Sequence, residues 1–462
     1  MGRIEKDLLG TVEIPDGKLY GACTQRTLNT CSVSRHTVPS ELISAILLVK
    51  KACAIANLKL GKLSEEKKTA IIDAVKLLKS GKFNGNFTLD IFQNGAGTST
   101  NMNANEVISF LARQNFDIEV HPNDDVNMSQ STNDTIPTAM NICCAAIIKN
   151  RLIPSLHAMF TVLSSHAEEW SDLVKIGRTH LQDAVPMTLG QEFSAYARQI
   201  EKCLERCDRG VEIMKELPIG GTAIGTGLNA PCGFSDLVIG EINDETGLNF
   251  VPAKNKFCEQ SSRDSIVELS GIINSLAAAL EKIAHDLKLL SSGPTAGMSE
   301  LSLPATQAGS SIMPGKINPA MCEMMIQACH YANGMMLTAL LGAKSSELQL
   351  NTAMSVTAYA IIDTMTVLSN CINNFSRYCL KGLRPNVEIL SENAKKSLML
   401  VTAVTPMIGH EMAEKIVKEA IESGRSAIDV LKEKNLLDAK IIDSLCDPKR
   451  MVNSEFERRS NI

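Results

Sequence analysis

Aromatic residues are scarce in this chain of 462 residues: one Trp, five Tyr and twelve Phe make up 4% of it. Ala, Leu, Ile and Met fill the apolar positions instead, a composition that favours packed helices over sheets. No run approaches eighteen uncharged apolar residues, so no membrane span is expected. Charge of one sign is not concentrated either. The 46 basic and 51 acidic residues leave a net charge of −5, spread as alternating acids and bases, without the basic face that nucleic acid requires. The opening MGRIEKDLLG lacks the apolar region of a secretory leader, and Lys6 stands where N-myristoylation needs Ser or Thr; neither is expected. No glycine-rich phosphate fingerprint occurs. Fourteen cysteines are present, but Cys143–Cys144 and Cys203/Cys207 have no second pair or nearby His to complete a metal set. Neither metal nor cofactor is expected, and dispersed, reduced thiols point to the cytoplasm.

What the chain has is long helical periodicity. Apolar residues recur at three- and four-residue spacing near 134–170, 187–216, 258–292, 320–345 and 350–381, as in the stripe Leu276, Leu280, Ile283, Leu287 and Leu290. Helices so long, and apolar on more than one side, suggest a bundle that also packs against other subunits. The fold class is mainly α. Before the bundle lie an extended opening (11–20) and helices near 40–57 and 65–80. After Arg384–Pro385 come shorter helices near 388–400, 410–422, 426–434 and 438–446. This predicts an irregular amino-terminal domain (1–130), a central long-helix domain (131–385) and a small carboxy-terminal domain (386–462).

The bundle is interrupted by GPTAGMSELSLPATQAGSSIMPGKINP, residues 293–319. Glycine and proline keep such a stretch out of regular structure, and loops of this length are usually functional. Its end sets two hydroxyls (Ser310, Ser311), a cation (Lys316) and an amide (Asn318) within nine residues. Three other segments share its chemistry: GAGTSTNMN (95–103), HPNDDVNMSQSTND (121–134) and GRTHLQDAVP (177–186). Each is placed beside a helix terminus, where backbone amides bind anions. Singly they have plain explanations: Ser131, Thr132 and Asn133 as helix caps, His180 as a structural histidine, Asn123 and Asp124 as turn residues.

Together, many neutral donors and one lysine suit a small dicarboxylate. Lys316, Asn318 and loop amides would hold one carboxylate, and Thr98, Ser131 and Thr132 the other. Removal of a proton beside a carboxylate creates an aci-carboxylate, which preorganised donors stabilise. A serine base would need nearby amides and cations to activate it.

These residues resemble the fumarase/aspartase superfamily, in the branch of aspartate ammonia-lyase and class II fumarate hydratase. GSSIMPGKINP (309–319) is similar to its signature GSSIMPxKxNP, and the resemblance runs from RIEKDLLGTVEIP to KSLMLVTAVTPMIGH (396–410). It implies a three-domain, mostly helical subunit whose long helices form a homotetrameric core, with each active site shared among three subunits. It implies Ser310 as the catalytic base with Ser311 beside it, and Lys316 and Asn318 on one carboxylate. Thr98, Ser131 and Thr132 match the other carboxylate's site. Asn133, Thr179 and His180 match positions around the leaving group, with Glu323 next to them. His121, Asn123 and Asp124 resemble a second dicarboxylate site. A non-catalytic relative would have lost the base, lysine and asparagine; all three are intact.

Motif balance leans toward the aspartase side. GAGTS (95–99), QSTND (130–134), TAIGTGLN (222–229) and LQLN (348–351) favour it, and Ala96 removes a hydroxyl, as suits an ammonium rather than an ordered water. HPNDDVN (121–127), NKF (255–257) and SLMLVTAV (397–404) favour fumarase. The expected reaction is therefore elimination of ammonia from L-aspartate to give fumarate, with the hydration of fumarate to L-malate as the alternative. Thr295, where the family has Arg, and residues 352–355 depart from the pattern.

Overall fold

The computed structural model describes residues 2–452; Met1 and residues 453–462, the extremes of the first and last expected domains, lie outside them. Twelve helices lead the chain order: α1 (Ala22–Thr30), α2 (Ser40–Lys59), α3 (Glu65–Lys79), α4 (Thr98–Phe116), α5 (Thr132–Ile147), α6 (Ile153–Glu169), α7 (Leu189–Ile213), α8 (Phe234–Thr246), α9 (Lys256–Ser261), α10 (Asp264–Leu290), α11 (Ala320–Ala343) and α12 (Met354–Tyr378). Shorter ones follow, from α13 (Val387–Lys396) to α18 (Pro448–Met451). Two hairpins matter below: β1 (Arg3–Asp7) with β2 (Gly10–Ile14), and β3 (Val174–Thr179) with β4 (Gln182–Thr188). The fold is mainly α, as the periodicity implied.

Local chemistry explains where elements depart from that periodicity. The 134–170 period is carried by α5 and α6 joined through a π turn, Ile148–Leu152. Pro154, in the first turn of α6, has no N–H to give, and the helix widens at that point. The 258–292 period breaks at Ser262, which is extended. Next to it, the fully buried Arg263 turns inward to the Asn141 side chain (2.5 Å) and the Glu259 carbonyl (3.2 Å). The opening is a hairpin rather than a single extended stretch.

The chain forms two compact units. Unit 1 holds Met1–Ser155, Cys203–Ala278 and Ala328–Asn370; unit 2 holds Leu156–Lys202, Ala279–Gln327 and Cys371–Ile462. In unit 1, α2 packs against α3, α5 and α8. Its buried residues include Ala45, Ile46, Leu47, Leu48, Val49 and Ala52, on nearly every side, as befits a central helix. In unit 2 the single Trp170 stacks on His166 (centroids 4.1 Å apart) and meets Phe193 edge-on at 4.7 Å. A second cluster, around Val404, Ile416, Val430, Leu431 and Ile442, binds the carboxy-terminal helices.

Met354–Gly382 has the length and mean hydropathy (1.2) of a membrane span, yet 61% of that window is buried, as in a core helix. Of the fourteen cysteines ten are buried, while Cys232 and Cys258 are exposed.

Candidate active site

Unit 1 builds one group of polar side chains from the first turns of α4 and α5. Gly97 precedes α4 with φ 79°, a conformation that favours glycine, and Thr98 begins the helix. Gly95 has no room for a side chain, because a Cβ would lie 1.6 Å from the Thr352 carbonyl oxygen. Its own carbonyl accepts from Met354 N at 2.7 Å, so the GAG segment is fastened to the stretch after LQLN. At α5, Ser131 is the N-cap: its hydroxyl accepts from Asn133 N (3.2 Å), while Asp134 accepts from Ser131 N (2.9 Å). Asn101, one turn into α4, donates to the Thr132 hydroxyl at 3.1 Å and thereby brings Thr98 and Ser131–Asn133 together.

Asp134 does more than cap. Fully buried, it also accepts from Gly220 N and Thr222 N, both at 2.9 Å, and Asn133 donates to the Ala223 carbonyl at 2.8 Å. The TAIGTGLN loop is thus clamped onto the α5 cap. Burial pushes the Asp134 carboxyl up to about 6, against the pull of these amides. The capping and anion-binding readings of Ser131 are compatible, because capping uses one hydroxyl and leaves Thr132 and the outer donors in place. His121, Asn123 and Asp124 are exposed, with His121 Nδ1 accepting from Asp124 N at 3.1 Å. Among the described residues, their hydrogen bonds stay within residues 121–126 and do not reach the cap.

Unit 2 holds the remaining residues. In the long loop the chain doubles back: Asn318 donates to the Gly309 carbonyl at 2.6 Å, and a Cβ on Gly309 would lie 2.2 Å from the Lys316 carbonyl oxygen. Ser310, Lys316 and Asn318 are therefore gathered by the fold. Two backbone amides, Ile312 N (3.2 Å) and Met313 N (2.9 Å), donate to Ser310 Oγ. Such donors stabilise an alkoxide more than a hydroxyl. Ser311 and Lys316 are exposed. Glu323, in the first turn of α11, lies 3.7 Å from Lys288 Nζ.

Thr179 and His180 were expected beside a helix terminus and instead sit at the tip of the β3–β4 hairpin. Thr179 pairs with Gln182, and the two turn residues, His180 (φ 56°) and Leu181 (φ 59°), are both left-handed. That is the type I′ geometry usually given to Asn-Gly, so the sequence carried no turn signal. Left-handed residues without the glycine exemption concentrate where function needs them. Leu181 is 62% exposed and loses no packing if trimmed. Leu181→Gly should raise stability by about 0.5–1 kcal/mol after the entropy of glycine is charged, readable by chemical denaturation.

The hairpin is anchored by charges that the sequence reading missed. Glu300, fully buried, faces Arg178 Nη1 at 2.6 Å and Lys175 Nζ at 2.9 Å; Lys175 also reaches Glu192 at 2.6 Å. Glu300 N donates to the Leu290 carbonyl, and the Glu300 carbonyl accepts from Asn386 N, both at 2.9 Å. Glu300 therefore connects the Thr179–His180 hairpin to the root of the serine loop. For Lys50 a charged residue in the apolar run SAILLVKKACAIA was the available signal, whereas Glu300, in MSELS, carried none.

Comparisons with known proteins show the family. The family described as Lyase matches residues 10–334, and that described as Fumarase C C-terminus matches residues 400–453. The class II fumarate hydratase of Bacillus cereus is 41% identical over 97% of this chain and 98% of its own length. That of Helicobacter pylori is 42% identical over 97% and 98%. Among solved structures, the class II fumarase of Schistosoma mansoni superposes with a TM-score of 0.96 at 36% identity, covering 98% of this chain and 99% of that one. A Brucella melitensis protein titled fumarate lyase:delta crystallin, bound to cobalt, gives 0.92 at 39% identity, covering 98% and 99%. The chain belongs to the fumarase/aspartase superfamily, in its class II branch.

Membership corrects the expected reaction. The superfamily members at about 41% identity over the full chain are named fumarate hydratases, so the lean toward aspartate ammonia-lyase and a carbon–nitrogen lyase is overturned in favour of a carbon–oxygen lyase. The physical weight had rested on Ala96. That residue is 6% exposed, so its methyl belongs to the packing of unit 1, and its missing hydroxyl is no measure of the leaving group. The GAGTS, QSTND and LQLN motifs are likewise compatible with a class II fumarase-like chain.

Proposed function

We propose that the protein catalyses the reversible hydration of fumarate to L-malate, as a homotetramer with active sites shared among three subunits. The observation that carries this is the Ser310 loop: a hydroxyl held by two backbone amides, with Lys316 and Asn318 folded back beside it. In the dehydration of malate Ser310 Oγ, as the alkoxide that its two amides favour, takes the C3 proton and becomes the hydroxyl, and in the hydration of fumarate it returns that proton to C3. Lys316 and Asn318 hold the adjoining carboxylate as it becomes an aci-carboxylate, and Thr98, Ser131 and Thr132 hold the other. Asn133, Thr179 and His180 orient the departing hydroxyl, with Glu323 beside that position and Ser311 beside the base. His121, Asn123 and Asp124 would form a separate, surface dicarboxylate site.

Assembly is supported by exposure. In a single chain Thr179, His180, Ser311 and Lys316 all lie open, whereas donors of this kind act strongly only where water is excluded. Exposed Leu337 (55%) and Leu341 (56%) on α11 add apolar surface suited to contact between copies. The three segments 1–130, 131–385 and 386–462 would be the subunit's domains, and its place the cytoplasm.

The test is fumarate absorbance in the ultraviolet, with purified protein, L-malate and L-aspartate assayed in parallel alongside light scattering. Turnover of malate by a tetramer, and of aspartate only at background, is the expected outcome. A folded tetramer silent on malate, or a fully active monomer, would refute the proposal.

A further inference from the structure

Helix α2 buries a lysine whose ammonium is held by amide oxygens rather than by a carboxylate. Lys50 is 0% exposed, and its ammonium donates to two amide oxygens, Asn127 Oδ1 and Gln130 Oε1, both at 2.9 Å. Burial pushes this ammonium down to about 7. The fold bears a desolvation cost here that an apolar side chain of similar length would avoid. Such a cost persists where something other than stability requires the group.

Its neighbours indicate what that is. Asn127 Oδ1 also accepts from Asn101 Nδ2 (3.1 Å) and Asn105 Nδ2 (3.3 Å), and the same Asn101 amide reaches the Thr132 hydroxyl at 3.1 Å. The oxygens of Asn101 and Asn105, both on residues at most 1% exposed, receive no hydrogen bond. The cluster is short of donors, and Lys50 supplies two. Gln130 directly precedes the Ser131 cap, and its own amide is tied to the Val126 and Met128 carbonyls. Lys50 thus reaches the cradle by two routes, one residue removed through Gln130 to Ser131 and two removed through Asn127 and Asn101 to Thr132.

We infer that Lys50 is a positioning residue for the substrate carboxylate, holding residues 127–130 so that Ser131 and Thr132 present to the anion, and adding a buried positive charge that sets affinity rather than turnover. This rests on the site reading proposed above. The titratable groups facing Lys50 are Cys53 on its own helix and Asp134 on α5. Burial pushes the Cys53 thiol up, so it stays neutral, and the Asp134 carboxylate is engaged by three backbone amides. From α4 and residues 126–130 the facing groups are the neutral amides already named. An arriving dianion favours the charged lysine, so binding takes up a proton near neutrality. Affinity then weakens as pH rises through about 7.

The experiment measures fumarate Kd by titration calorimetry, and KM and kcat for malate, on both sides of neutral pH. It compares wild type with Lys50→Met, which keeps the stem, and Lys50→Gln, which keeps a donor without charge. Below neutrality both variants should raise Kd and KM about tenfold, the effect of one charge roughly 12 Å away at an effective dielectric near 20. Both should leave kcat within about twofold, and both should lose the wild-type weakening of Kd above neutrality, where Asp134, pushed up to about 6, is already ionised. Their melting temperatures should equal or exceed wild type. Unchanged Kd in Lys50→Met, wild-type behaviour of Lys50→Gln, or a parallel fall of kcat and melting temperature would each overturn the inference. Wild-type protein that binds no fumarate would instead overturn the site reading, and this inference with it.

Discussion

Ser310→Ala is expected to lower kcat for malate by about 10²–10⁴-fold while leaving KM and melting temperature close to wild type, the range over which a positioned proton acceptor contributes. The argument is one of local chemistry. A serine hydroxyl is a poor base, and what makes this one plausible is the pair of amides from Ile312 and Met313 that converge on its oxygen. They compensate an alkoxide in the way oxyanion donors do. Because Ser310 is only half-buried and its two bonds are internal to the loop, the methyl variant strands two amides that water can reach. Fold and ground-state binding are then spared, since Lys316, Asn318 and the α4–α5 cradle remain. Steady-state kinetics of malate dehydration decide it: kcat retained to within tenfold removes Ser310 from the base role.

The serine loop was the most legible part of the chain because its chemistry is written in consecutive residues. Gly309, Ser310, Lys316 and Asn318 lie within one doubled-back segment, so adjacency in sequence became adjacency in space. The long helices were legible for a related reason: an apolar stripe such as Leu276–Leu290 is a local pattern that burial simply repeats. The β3–β4 hairpin was not, since its turn is His180–Leu181 rather than Asn-Gly. Its strands are also held partly by Lys175 and Arg178 on a glutamate more than 100 residues downstream. Lys50 and Asp134 were overlooked for the same reason. Their partners, Asn127 with Gln130 and Gly220 with Thr222, are brought to them only by packing. The leaving group was misread at Ala96, where a change at a buried position was treated as a change in the site.

Glu300→Ala should be the most damaging single change to the fold, lowering stability by about 3–5 kcal/mol, the cost of stripping a buried ion pair of one partner. Glu300 is fully buried between Lys175, itself 2% exposed, and Arg178. Both N···O separations are ionic contacts, yet neither carboxylate oxygen receives a well-directed hydrogen bond, so the attraction is Coulombic and unscreened. Among the described residues, removing the carboxylate leaves Lys175 its ion pair with Glu192 and takes from Arg178 its ion pair with Glu300. Trp170, the single tryptophan, lies in unit 2 with this network, so its fluorescence during urea unfolding reports on the correct part of the molecule. Lys175→Met in the Glu300→Ala background should recover part of the loss, because a buried cation left with one of its two carboxylates, and not the missing contact, carries most of the penalty. If Glu300→Ala unfolds at the wild-type midpoint, the network is not what anchors the Thr179–His180 hairpin. If it unfolds early and Lys175→Met restores nothing, packing around the glutamate stem dominates instead. Recovery of stability without recovery of kcat would separate the two tasks assigned to Glu300: neutralising buried cations, which methionine makes unnecessary, and holding the hairpin against the root of the serine loop, which it cannot replace.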